Sequence, residues 1–279
     1  MTETSEPAPG VVAISGAGTG IGQVTARRFG ELGWRVVIGG RRAEKLARTA
    51  TLVEEAGGSC LAHDLDVTDA ESVDRFFTAA EDKFGTVTAV INNAATGRFG
   101  PLEDFTPAEI DAEIATKLTG GLYMAQRGVR ALRAAGRGGD ILFMTSLSAA
   151  KEWLHHIPYA AANAGVEHAA RMLRLELEGT GIRVTALRCG ETIGTDFGTR
   201  EGENGRGLAA YQLWFRRGLL RHAGMMTPDV VAGAIVAAVT LPAGYQYETL
   251  TVTPTAPAGE LPVTFESWGA DVFGRHGYF

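Results

Sequence analysis

The sequence predicts an α/β protein, a doubly wound parallel sheet of about seven strands with helices on both faces. Three observations carry this. Short apolar runs alternate with helix-length amphipathic stretches along most of the chain, the pattern of successive strand–helix–strand units. Four glycines, Gly16, Gly18, Gly20 and Gly22, crowd into the first strand-to-helix junction. With 279 residues, 45% apolar and 21% charged, the chain is of ordinary globular composition and long enough for one many-stranded domain.

The apolar run that opens at Val11 is short enough for a buried parallel strand. Residues 21–32 read as a helix, and 34–38 as the strand that closes the unit. Glycines at such a junction let the backbone turn sharply. They also let an anion approach the helix N-terminus, where free N–H groups and the helix dipole favour it. A nucleotide is therefore expected against Gly16, Gly18, Thr19, Gly20, Ile21 and Gly22. The second strand ends at Gly39-Gly40-Arg41-Arg42. In dinucleotide folds an acid near this point binds a ribose 2′-hydroxyl, and an arginine a 2′-phosphate. No acid stands at the strand end, so Arg41 and Arg42 predict NADP(H). Two solvated helix-entry arginines are the plain alternative.

A helix over 43–56 and a strand over 59–63 follow. Thr68 or Asp69 then caps a further helix with Glu71 in its first turn. The fourth strand spans 87–91. A long helical stretch over 107–135 is interrupted by Gly120-Gly121, and the fifth strand at 140–144 leads into Thr145-Ser146. Pro158 suits the first turn of a helix running to about residue 178, and the sixth strand spans 181–187. Residues 190–226 are Gly-rich and irregular but contain Tyr211, Leu213, Trp214 and Phe215. They read as a mobile cover with an apolar underside, or as a plain surface insertion. A helix at 228–240 and a strand at 248–253 complete a single domain over 10–253. Before it, residues 1–9 are acidic and Pro-containing, with no basic or apolar targeting pattern, and read as a flexible leader. After it comes a Pro-rich tail, 254–279, whose Phe273, Tyr278 and Phe279 are expected to dock somewhere, for instance on a partner subunit.

Bulk charge and cysteine usage exclude several functions. A net charge of −6 offers no attractive field for nucleic acid. No apolar run approaches the ~20 residues of a membrane span. Cys60 and Cys189 lie far apart without ligand spacing, so no metal is expected, and a reduced, cytoplasmic protein is the simplest reading.

The spacing Ser15-Gly16-x-x-x-Gly20-x-Gly22 resembles the Thr-Gly-x-x-x-Gly-x-Gly turn of the short-chain dehydrogenase/reductase family, and with it a Rossmann-type fold. Asn92-Asn93-Ala94-Ala95 resembles that family's Asn-Asn-Ala-Gly. Ser146 stands 13 residues before Tyr159, the family spacing of the serine and tyrosine that act on the substrate. The resemblance covers about residues 10–253. It implies that Asp66 and Val67 touch the adenine, and that Asn93 and Ala94 pass under the adenosine side. It also implies that Gly190 and Thr192 (or Thr195) lie near the carboxamide, although Cys189-Gly190 replaces the family's Pro-Gly. Tyr159, with an unperturbed pKa near ~10, would give a proton to a carbonyl that receives hydride, and Ser146 would hold its oxygen. A homodimer or homotetramer through the two long helices is the implied assembly.

Two positions depart from the family. Asn163 stands where the Tyr-x-x-x-Lys pair has its lysine, and Lys117 stands where the long helix has its asparagine. The chain has four lysines against 22 arginines, so a lysine at that one place is not default surface composition. The expectation is that the two residue types have changed places and that Lys117 returns the missing charge beside Tyr159. The alternative is a degenerate, inactive relative. His155 and His156 fall where the family lines its substrate pocket. His155, with Trp214 from the cover, is expected to face a substrate, and a solvent edge for both histidines fits equally. The whole predicts an NADPH-dependent reductase of a small carbonyl substrate, bulky and apolar or alicyclic. Its rivals are an NADP(H)-binding regulator without turnover and a reductase acting on C=N.

Overall fold

The computed structural model describes residues 9–199 and 205–276. All of the leader before Pro9, and the tail aromatics Tyr278 and Phe279, lie outside the described residues. Seven strands, all parallel, pair in the order β3-β2-β1-β4-β5-β6-β7. They are β1 (Val11–Ser15), β2 (Arg35–Gly40), β3 (Ser59–Asp64), β4 (Ala89–Asn92), β5 (Gly139–Ser146), β6 (Ile182–Cys189) and β7 (Thr249–Val252). This is the expected doubly wound, Rossmann-type sheet. Every residue of β1 is buried because helices cover both faces. Val11 and Ala13 pack into the core on one side of the sheet, and Val12 and Ile14 into the core on the other, as alternate Cβ directions require.

The helices α1 (Gly20–Glu31), α2 (Ala43–Glu55) and α3 (Ala70–Phe84) alternate with the first strands. Asp69 caps α3 by accepting from the Glu71 N–H at 2.9 Å. The strand order reverses between β1 and β4, so the carboxyl ends of β1, β4 and β5 frame a crevice. Three side chains brace those ends. Ser15 Oγ accepts from the backbone N–H groups of Asn93 and Ala94, each at 3.1 Å. Asn93 Nδ2 donates to the carbonyls of Ser15 and Gly16, and Asn92 Nδ2 donates to that of Leu142 on β5.

Two expectations need correction. The long helical stretch is broken into α4 (Pro107–Ile114) and α5 (Gly120–Ala134) by a π-helical turn, Ala115–Thr119, with Lys117 at its centre. The glycines do not cause the break: they continue helically, and a Cβ on Gly120 would lie 2.7 Å from Val67, so Gly120 serves close packing. After α6 (Ile157–Glu176), the 190–226 segment is not irregular throughout. It contains α7 (Asp196–Thr199) and α8 (Arg206–Arg216). Its ends meet where Thr192 bridges Met226 and the Met226 N–H donates to Glu191. Past α9 (Pro228–Val239) and β7, the tail carries α10 (Phe265–His276), which docks on this same chain.

Candidate active site

One cavity of about 370 Å³ runs from the glycine turn to the underside of the 190–226 cover. At the first end, Gly16 adopts φ +66°, and a Cβ on Gly22 would lie 2.5 Å from the Gly16 carbonyl oxygen. Only glycines let α1 start this close to the strand it leaves. Gly16, Gly18, Thr19, Gly20 and Ile21 line the cavity, while Gly22 sits behind it as packing. Thr19 precedes α1 without a side-chain cap bond, which leaves first-turn N–H groups for a ligand.

Beyond β2, Arg41 and Arg42 line the same cavity with Asp66, Val67, Asn93 and Ala94. Asp66 accepts from the Thr68 N–H and hydroxyl at 2.9 and 2.7 Å, and these bonds, with the nearby Arg41 charge, hold its carboxyl below the usual range. Arg42 reaches across to Asp196 on α7 at 2.8 Å.

Ser146, the last residue of β5, and Tyr159, in the first turns of α6, line the same cavity with Lys117, Cys189, Gly190 and Thr192. Burial pushes the Tyr159 phenol well above its ordinary range, with Cys189 adding to the rise. Hydrogen bonding with Ser146 and Asn163 pulls the other way. Lys117 is 5% exposed, and its burial lowers the ammonium to about 8, opposed by nearby Cys189. The Cys189 thiol is itself pushed up to about 11 by burial, so it stays a neutral thiol at ordinary pH. Asn163 is fully buried and does not line the cavity. Its Nδ2 donates to the Tyr159 carbonyl at 2.8 Å, and its Oδ1 has no partner. Asn163 therefore ties its own turn of α6 to the Tyr159 backbone and lies close enough to the phenol to ease its ionisation.

The substrate end is aromatic. His156, not His155, lines it: His155 is the turn residue, at φ +61°, and remains outside the cavity. The His156 ring stacks on Tyr159 with centroids 4.3 Å apart and planes 11° from parallel. Trp214 lines the cavity as expected, its Nε1 donating to the Leu154 carbonyl at 2.7 Å. Phe99, Trp153, Phe197 and Tyr211 join it; the sequence points to Tyr211 only as part of the cover and to the other three not at all. Gly97 makes room for Phe197 over Tyr159, since a Cβ there would fall 2.4 Å from the Phe197 ring. Behind the site, buried Glu167 accepts from Thr145 Oγ1 at 2.8 Å and from Arg188 Nε at 2.9 Å. An isolated Glu on a helix and Arg on a strand carry no motif that would have revealed this brace. No group of three or more metal-ligating side chains occurs among the described residues.

Residues 10–205 match the sequence model of the family described as short chain dehydrogenase. The chain belongs to the short-chain dehydrogenase family. 3beta-hydroxysteroid dehydrogenase 1 of Eggerthella lenta is 36% identical over 180 residues, which span 64% of this chain and 69% of that protein. Among solved structures, the closed form of a serine dehydrogenase complexed with NADP+ superposes with a TM-score of 0.77 at 25% identity, covering 90% of this chain and 98% of that one. An alcohol dehydrogenase from the archaeon Thermococcus sibiricus, complexed with 5-hydroxy-NADP, gives 0.73 at 26% identity, with 90% and 98% covered. Short-chain dehydrogenases are thus matched in both sequence and fold. No helix among the described residues is long and apolar enough to cross a membrane.

Proposed function

We propose that this short-chain dehydrogenase is an NADPH-dependent reductase of a small, bulky apolar or alicyclic carbonyl compound. The observation that carries the reading is one cavity lined by Ser146, Tyr159 and Lys117 together with the glycine turn and the arginine pair. The residues present fit NADP(H). The α1 N-terminus has no side-chain cap, a pyrophosphate can lie against Gly16 to Ile21, and Arg41 and Arg42 offer charge-assisted bonds to a 2′-phosphate. NADP-complexed structural neighbours support the same choice.

Bound there, NADPH would supply the hydride. Tyr159, kept protonated by burial, donates its phenolic proton to the carbonyl oxygen as negative charge develops, and the Ser146 hydroxyl holds that oxygen. In the resembled family a lysine on the Tyr helix favours loss of this proton. Here that place is Asn163, and the cation beside the site is Lys117. We assign Lys117 the missing positive charge, delivered from the π-helical turn into the room left by the shorter Asn163. A charge in so dry a site lowers a phenol's pKa by on the order of one or more units. Free Cys60 and Cys189 fit a reducing, cytoplasmic setting. Exposed Leu122, Met172 and Leu175 on α5 and α6 are the face we assign to a homodimer or homotetramer.

Loss of NADPH absorbance with a panel of cyclic and aryl ketones tests the reading. Turnover by the native enzyme that falls at least ~100-fold in Tyr159→Phe supports it. A rival draws on Asn163 in the lysine place: tight NADP(H) binding with no NADPH oxidation by any carbonyl would mark a binding protein without turnover.

A further inference from the structure

His156 occupies the position that precedes α6, where a side chain ordinarily caps the helix, yet it makes no cap bond. Its ring lines the cavity instead, clamped between Tyr159 and Phe99, the latter with centroids 4.7 Å apart. The clamp fixes the imidazole next to the phenol that meets the reacting carbonyl. Its Nε2 is buried without a hydrogen-bond partner, and so is the hydroxyl of Ser148, which lines the same cavity. A buried polar atom left unpaired is costly, so a ligand that supplies the partner recovers much of that loss.

Burial also lowers the His156 imidazole to about 3, so at ordinary pH it offers one neutral donor and one neutral acceptor. That suits a hydroxyl or carbonyl and disfavours a carboxylate. The walls around it are rings. Phe99 and Trp214 lie edge to face at 5.5 Å, Tyr211 and Trp214 at 5.1 Å, and Phe197 lies 5.0 Å from Tyr159. Such edges and faces favour a flat π-surface over a saturated ring of equal volume.

Resting on the reading of this cavity as the substrate site of a carbonyl reductase, we propose that His156, helped by Ser148, sets specificity. It hydrogen-bonds a neutral oxygen substituent on a planar aromatic or fused-ring ketone seated among Phe99, Phe197, Tyr211 and Trp214. The partner oxygen is a second polar group of the substrate, distinct from the carbonyl that meets Tyr159 and Ser146.

Quenching of tryptophan fluorescence in the full chain saturated with NADP+ tests this without turnover. The probes are α-tetralone, its ring-hydroxylated isomers, a ring-carboxylated analogue and the saturated decalone. The best hydroxylated isomer is expected to bind native enzyme about tenfold tighter than α-tetralone, with the decalone and the carboxylate weaker still. In His156→Phe, which keeps a stacked ring, that preference should collapse to within about threefold while α-tetralone binding is retained. His156→Gln, which keeps a donor and an acceptor, should preserve most of it, and Ser148→Ala should lose a smaller part. Equal binding of hydroxylated and plain tetralone by the native enzyme, no binding of any tetralone, or an unchanged ratio in a folded His156→Phe overturns the proposal. Selective binding without any NADPH oxidation would sink the reductase reading and leave this one standing. Turnover of ketones without the hydroxyl preference would do the reverse.

Discussion

The two ends of the cavity are built from different materials. The end nearer the glycine turn is made of backbone and small side chains: a glycine turn, three polar residues that lace the ends of β1, β4 and β5, and a helix N-terminus. The other end is made of large rings brought from three distant stretches, Phe99, Trp153 with His156, and Phe197 with Trp214, and is backed by Trp268 on α10. The first is held by hydrogen bonds whose partners follow directly from strand order. The second is held by apolar burial and ring contacts, which tolerate exchange of one ring for another. A family can therefore keep one end constant and vary the other. Lys117 and Tyr159 sit at the seam, and the two ends should come apart experimentally.

Lys117 should give the largest effect. Lys117→Met is expected to lower kcat/KM by at least ~100-fold and to move the basic limb of the pH–rate profile above the value near 8 set by the buried ammonium. The same change should stabilise the protein. The folded-state pKa lies below the unfolded value of 10.5. The cost of holding the proton in the fold is therefore full at pH 7, on the order of 3 kcal/mol, and fades as pH rises from 8 toward 10.5. Thermal denaturation should show a higher Tm for Lys117→Met at pH 7 and no such gain near pH 10.5. Pairing Lys117→Asn with Asn163→Lys should restore more activity than either single change, and strict additivity in that double-mutant cycle would refute the exchange.

Arg41→Ala confines the damage to the nucleotide end. NADPH affinity should fall roughly 10- to 100-fold, the worth of a charge-assisted contact, with NADH binding nearly unchanged. Equal NADPH and NADH affinities in the native chain, by titration, would remove the 2′-phosphate assignment altogether.

Trp268→Ala does the converse at the ring end. Trp268 donates to the His222 carbonyl at 3.0 Å and packs 6.0 Å from Tyr211, which lines the cavity. A rise of about 3- to 30-fold in ketone KM is expected, with the NADPH Kd unmoved. A rise in the NADPH Kd of similar size would mean that the two ends are one unit.

The smallest effect is the acid sensitivity of the ring end. His156 titrates near 3 in the fold against 6.5 unfolded, so its contribution is intact above pH 6.5 and is lost as pH falls below that value. The loss reaches about 2 kcal/mol by pH 5. His156→Phe should therefore lose less Tm than the native chain between pH 7 and 5.

Local pattern determined the sheet, its direction and the strand-to-helix junction, and the family's motif spacing pointed to Ser146, Tyr159, Lys117 and Asn163. The reason is that each rests on spacing within one or two elements: alternation of apolar runs, glycines at a turn, four residues along one helix face. Tertiary structure alone decided the rest. The break in the long helix is a π-helical turn centred on Lys117, while Gly120, which looked like the interruption, packs closely against Val67 within the helix that follows. His156 and not His155 enters the cavity because the backbone turns at His155, a choice adjacent histidines do not announce. The tail's α10 closes over its own cover because Trp268 and Val272 find an apolar surface assembled from Phe99, Trp214 and Leu220. That surface has no local sequence signature: Phe99 lies more than a hundred residues before Trp214 and Leu220, and they become neighbours only when the sheet sets them there.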